Sequence, residues 1–135
     1  MSDITKQSLS ELVKNIKDKK ISSEEVTQAF INRSEKSNDL NVYITEDYSS
    51  ALDKAKKFDQ KPNLDLKLPG IPMAVKDLFC TKNIRTTAGS KILNDFVPTY
   101  ESTVTQNIWD EGAILLGKLN CDEFAMGSSN ETSFF

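Results

Sequence analysis

Acid-base chemistry near neutral pH has few candidate side chains in this protein. Its 135 residues include no histidine, so neither a Ser-His-Asp nor a Cys-His catalytic set can be assembled, and the commonest neutral metal ligand is missing. A general acid or base must then be a carboxylate or a lysine with a shifted pKa. Lys76 stands out. It follows the apolar run Ile71-Pro72-Met73-Ala74-Val75 and precedes Asp77, a position where a strand ends and a pocket commonly opens in an α/β sheet. Apolar neighbours can desolvate an ammonium there. Bringing a lysine from about 10.4 to near 7 takes about 4 to 5 kcal/mol of differential destabilisation of the charged form. The alternative is a surface pair between Lys76 and Asp77.

The elements that must position Lys76 are legible from caps and periodicity. Ser8 precedes the stripe Leu9, Leu12, Val13 and Ile16, with Glu11 completing a capping box, which predicts a helix over about 8–19. Ser22 and Glu25 repeat the box and open a second helix to about Ser37, with Val26, Ala29 and Phe30 on its apolar side. The pair reads as a helical hairpin, and its serines as caps rather than nucleophiles. Val42–Thr45 has the β-branched and aromatic content of a short strand, and Asp47 begins a polar helix to about Gln60.

Pro72 restricts the run Ile71–Val75 to a sheet edge or to the start of a strand. From Cys80 to Pro98 the pattern is mostly loop, with Thr86-Thr87-Ala88-Gly89-Ser90 as small residues that connect elements or line a site. Ser102 caps a helix carrying Val104, Ile108 and Trp109, Gly112 closes it, and Ala113–Leu116 reads as a covered strand ending at Gly117. Helix, glycine and buried strand in that order predict a layered α/β fold with parallel strands.

Composition narrows the class. An apolar share of 38% with 27% charged residues excludes collagen-like, disulfide-scaffold and membrane-spanning chains. A net charge of -3 offers no cationic field for nucleic acid, so any RNA contact needs another surface. Cys80 and Cys121, in a chain whose first residues have no apolar signal-peptide core, fit a reducing, cytoplasmic setting. The ending Ser133-Phe134-Phe135 predicts a truncated chain, the alternative being that both rings dock into this domain's own core.

Three ordered segments, Leu68-Pro-Gly-Ile-Pro-Met-Ala-Val-Lys-Asp77, Cys80-Thr-Lys-Asn-Ile-Arg-Thr-Thr-Ala-Gly-Ser-Lys91 and Gly117-Lys-Leu-Asn-Cys-Asp-Glu-Phe-Ala-Met-Gly-Ser-Ser129, resemble the amidase signature family, in particular its branch of tRNA-dependent amidotransferases. The resemblance implies the N-terminal part of a layered α/β/α fold with a mixed sheet, a helical hairpin at 1–40 and the start of the α/β core at 41–135. It implies a Ser, cis-Ser, Lys triad in which Lys76 is the lysine. Both serines belong to a Gly- and Ser-rich signature beyond the stretch present here, so the chain by itself is expected to be inactive. Met126, Gly127, Ser128 and Ser129 match a loop that forms part of the substrate pocket wall. Asn83 stands where the family frequently has Gly, and Asn tolerates positive φ better than most residues.

The same resemblance implies glutamine, or asparagine, as ammonia donor and two partner amidotransferase subunits, B and C. It gives ATP and Mg²⁺ to the assembled complex, tRNA to the partner side, and neither metal nor membrane to this chain. A stand-alone hydrolase of small amides and a non-catalytic fragment that binds partner subunits are the alternatives.

Overall fold

Ser8 and Ser22 cap the first two helices of the computed structural model, which describes residues 3–135. α1 spans Leu9–Lys17 and α2 spans Ser23–Glu35. In each, the serine hydroxyl accepts the amide of Glu11 or Glu25, and that glutamate's carboxylate accepts the serine amide in return. Two of the donors that a helix start leaves unpaired are thereby satisfied. α2 ends earlier than expected because Asn38–Leu40 tightens into a 3-10 turn closed by Asn41 at φ 49.

The remaining elements are β1 (Tyr43–Glu46), α3 (Tyr48–Gln60), β2 (Pro72–Lys76), α4 (Thr103–Asp110) and β3 (Ile114–Leu119). The sheet is mixed, in the order β1-β3-β2, with β3 parallel to β2 and antiparallel to β1. Pro72 opens an edge strand, where its missing N–H breaks no ladder. α3 lays Ala51 and Ala55 on Ile114 and Leu116 of the central strand, and Ile31 of α2 completes that cluster. A second cluster joins Leu12, Ile16 and Val26 of the hairpin to Ile71 at the start of β2. The hairpin is thus anchored to the strand that carries Lys76.

Two sequence expectations change, and one alternative fails. β3 continues past Gly117 to Leu119; the glycine serves the β1 contact, since a Cβ there would lie 2.5 Å from the Thr45 carbonyl oxygen. Thr86, Thr87, Ala88 and Ser90 are buried rather than merely connecting. Phe134 and Phe135 form an edge-to-face pair at 5.2 Å with Lys91 and Arg85 over their rings, and Phe134 is 55% exposed, so they do not enter the core. Asn83 does take positive φ, at 63°. Among the described residues, no helix is long and apolar enough to cross a membrane.

Candidate active site

Lys76 is the last residue of β2, and its side chain is exposed. The apolar run ahead of it does not desolvate it within this chain. Nor does Lys76 pair with Asp77: its neighbours Val75 and Asp77 are both buried, as expected where successive strand side chains take opposite faces. Among the described residues, the Lys76 ammonium makes no hydrogen bond or ion pair.

Asp77 instead meets Lys118 of β3. Both side chains have 0% exposure, and Lys118 Nζ lies 3.2 Å from Asp77 Oδ1. The same ammonium donates to the Phe79 carbonyl at 2.8 Å and to Thr86 Oγ1 at 2.7 Å. The ammonium thus makes two hydrogen bonds and one ion pair, and Asp77 Oδ1 has no hydrogen-bond donor of its own. Burial pushes the Lys118 pKa below the ordinary lysine range, and the Asp77 carboxylate draws it part of the way back. Asp77 Oδ2 accepts the Thr87 amide at 2.8 Å and the Thr87 hydroxyl at 2.5 Å. The Ala88 amide donates to the Asp77 carbonyl. The turn after Lys76 and the 86–90 loop are thus tied to the end of β3.

The third of the three motif segments folds onto that loop. The Phe124 amide in that segment donates to the Ala88 carbonyl at 2.8 Å, and the Phe134 amide, beyond the segment, donates to the Gly89 carbonyl at 2.9 Å. Gly89 is at φ +69, and a Cβ on it would collide with the Cys121 carbonyl oxygen; only glycine combines that angle with so close a backbone. Met126, Gly127, Ser128 and Ser129 are exposed, Met126 at 77%. None of the four contacts Lys76 through a hydrogen bond; the 86–90 loop connects the two regions.

Asp122 shapes the exposed segment. Its Oδ2 accepts the Asn130 amide at 2.9 Å, and its Oδ1 accepts the Thr132 amide at 3.1 Å and the Thr132 hydroxyl at 3.0 Å. A Cβ on Gly127 would collide with this carboxylate. The backbone amides of Asn130 and Thr132 hold the Asp122 pKa below its ordinary value of 3.8. A carboxylate with a lowered folded pKa contributes stability above its unfolded pKa and loses it as pH falls through the folded value. Amide protection at Asn130 and Thr132 is therefore expected to be constant above pH 3.8 and to collapse below it. Protection at those amides that survives full protonation, followed by hydrogen exchange, would show that the carboxylate does not hold the loop.

The spacing of the motifs does not single out Asp77, Lys118 or Asp122. The available signal was a lysine only two residues past the apolar run Ala113–Leu116, within reach of the same strand. Cys80 and Cys121 are both free; burial, with the Asp77 carboxylate second, pushes the Cys121 thiol pKa up. Two concavities of about 460 and 480 Å³ lie along the α1–α2 turn and α1, and Lys76 lines neither.

The Amidase family profile matches residues 25–135, and the chain belongs to that family. Over all 135 residues it is 82% identical to the A subunit of the glutamyl-tRNA(Gln) amidotransferase of Pelagibacter ubique (strain HTCC1062), and it spans 28% of that protein's length. Among solved structures, the A subunit of the Thermotoga maritima glutamyl-tRNA(Gln) amidotransferase aligns with a TM-score of 0.74 at 27% identity, covering 100% of this chain and 27% of that one. The native peptide amidase of Stenotrophomonas maltophilia aligns with a TM-score of 0.81 at 27% identity, covering 94% of this chain and 27% of that one.

Proposed function

We propose that this chain is the lysine-bearing portion of an amidotransferase A subunit that releases ammonia from glutamine for the amidation of Glu-tRNA(Gln). The observation that carries this reading is the 82% identity across the whole chain to such a protein. In it, neutral Lys76 draws a proton through one serine from a second, and the second serine attacks the glutamine amide carbonyl. The C–N bond breaks, ammonia leaves with the returned proton, and water later hydrolyses the acyl-enzyme. Both serines lie outside these 135 residues. Met126–Ser129 form one wall of the glutamine pocket, and asparagine is the alternative donor.

Partner subunits B and C complete the assembly, with ATP, Mg²⁺ and most tRNA contact on the partner side, in the cytoplasm. The net charge of -3 suits a protein that leaves the polyanion to others. A stand-alone amidase is the second reading, favoured by the TM-score of 0.81 to the peptide amidase; at 27% identity that likeness speaks for fold more than substrate.

Co-expression of the full-length protein with tagged B and C subunits distinguishes the two. Co-purification and glutamine-dependent conversion of Glu-tRNA(Gln) are expected. Small-amide hydrolysis by the lone protein, with no association and no amidation, overturns the assignment.

A further inference from the structure

The Lys118–Asp77 pair is poorly explained as a source of stability. Two charges without exposed surface carry a large desolvation cost, and their mutual attraction commonly does no better than an apolar pair of similar volume. What distinguishes this pair is where its remaining bonds go. Lys118 holds the Phe79 carbonyl and Thr86 Oγ1, and Asp77 holds the Thr87 amide and hydroxyl. Every one of these partners lies in the segment that leaves β2 immediately after Lys76.

Lys76 is bracketed by that arrangement. Its carbonyl accepts the Phe79 amide at 3.1 Å, and the next residue's amide donates to the Leu119 carbonyl at 2.9 Å. The turn 76–79 is therefore fixed at Asp77 by the carboxylate and at Phe79 by the ammonium. The Lys76 side chain itself has no partner among the described residues, so this chain defines its location only through the backbone at the exit of β2. A flexible four-carbon stem keeps its terminal nitrogen in place only if its own Cα is held.

We propose that the buried Lys118–Asp77 pair is a positioning device for Lys76, holding the β2 exit so that the lysine's nitrogen reaches its serine partner. Neither member is a catalytic residue; both act through the turn. The inference rests on Lys76 being the proton acceptor, as in the proposed function. It differs from a purely structural role in one measurable respect. A strut for the fold affects how much enzyme is folded, whereas a positioning device affects turnover in the folded enzyme.

The test uses the full-length protein with its partners and reads glutamine hydrolysis. The double variant Asp77→Asn/Lys118→Met removes both charges at nearly constant shape, and Lys76→Ala is the reference. Misplacement of a reacting group by an ångström costs on the order of 10²-fold, so the double variant is expected to lose about that much in kcat. Its KM for glutamine should stay within about threefold, because the pair touches no substrate. A folded double variant with kcat within about threefold of the parent overturns the proposal.

Should the double variant fail to fold, Thr86→Val alone is read; it keeps both charges, removes one acceptor by which the ammonium holds the loop, and is expected to lose about tenfold in kcat at unchanged KM. Unchanged kcat there, with only a lowered melting temperature, also overturns the proposal. Comparison with the reference variant separates the lysine's role from that of the pair. Turnover retained by Lys76→Ala removes the proton acceptor and the positioning role with it. Turnover lost in Lys76→Ala but kept in the charge-free pair removes the positioning role alone.

Discussion

Lys76→Ala in the full-length protein is expected to lose about 10⁴-fold or more of its glutamine hydrolysis, the scale seen when one member of a catalytic triad is removed. Its melting temperature should hardly move. Lys76 is exposed at the end of an edge strand and bonds to nothing through its side chain among the described residues, and substitutions at such places commonly stay within about 0.5 kcal/mol. Lys76→Arg should be almost as inactive. It preserves the positive charge and much of the length, but a guanidinium does not surrender its proton near neutral pH. The pair of variants therefore separates proton transfer from mere charge. A Lys76→Arg enzyme with more than a tenth of parental turnover, measured by ammonia release at saturating glutamine, shows that the site uses charge. Within this chain neither neighbour covers the Lys76 side chain, since Val75 and Asp77 are buried while Lys76 is exposed.

Local signals predicted the elements well because each rests on a few neighbouring residues. The capping boxes at Ser8 and Ser22 are satisfied within three residues, and both form as written. Pro72 could only begin a strand or lie at an edge, and it does both. Asn83 accepted the positive φ expected at a position that often carries glycine.

The misses are all nonlocal. Gly117 looks like a stop after an apolar run, yet its meaning comes from Thr45 and Tyr43 on β1, which approach too closely for a side chain. Lys118 draws no reading of its own, because its role appears only when β2 brings Asp77 beside it and the 86–90 loop folds over both. The Thr-Thr-Ala-Gly-Ser stretch reads as a connector or a site lining because its residues are small and polar, and neither reading shows that it is buried. It is buried because two carboxylates, Asp77 and Glu123, supply acceptors for its amides and hydroxyls. Of the candidate site, the position of Lys76 at a strand end was legible. The ion pair beneath it was not, since no periodicity links residues 77 and 118.

The 135-residue chain on its own is expected to self-associate, and the structure changes which surface is responsible. The apolar run of β3 is not the cause: Leu115 and Leu116 are each 5% exposed, covered within the chain itself. The exposed apolar residues lie elsewhere, with Ile92 at 82%, Met126 at 77%, Tyr100 at 57%, Phe134 at 55% and Val104 at 52%. Single exposed hydrophobics are ordinary, but three of these, Ile92, Tyr100 and Val104, fall within one stretch of chain around α4 and the 3-10 turn at Lys91–Leu93. With β3 between them, both β1 and β2 are sheet edges, and open edges together with exposed apolar surface favour association. Full burial of a large apolar side chain is worth about 1.5 to 3 kcal/mol. Covering two or three of them therefore competes with a typical total stability of about 5 to 15 kcal/mol. Sedimentation velocity over a range of concentrations should show a rising mean sedimentation coefficient, and calorimetry a broad, concentration-dependent transition. Ile92→Lys should reduce the association, because it places a charge at the most exposed of these positions without touching either buried cluster. A strictly monomeric sample with one sharp cooperative melt would instead establish that the two clusters around Ala51 and Val26 hold this unit together unaided.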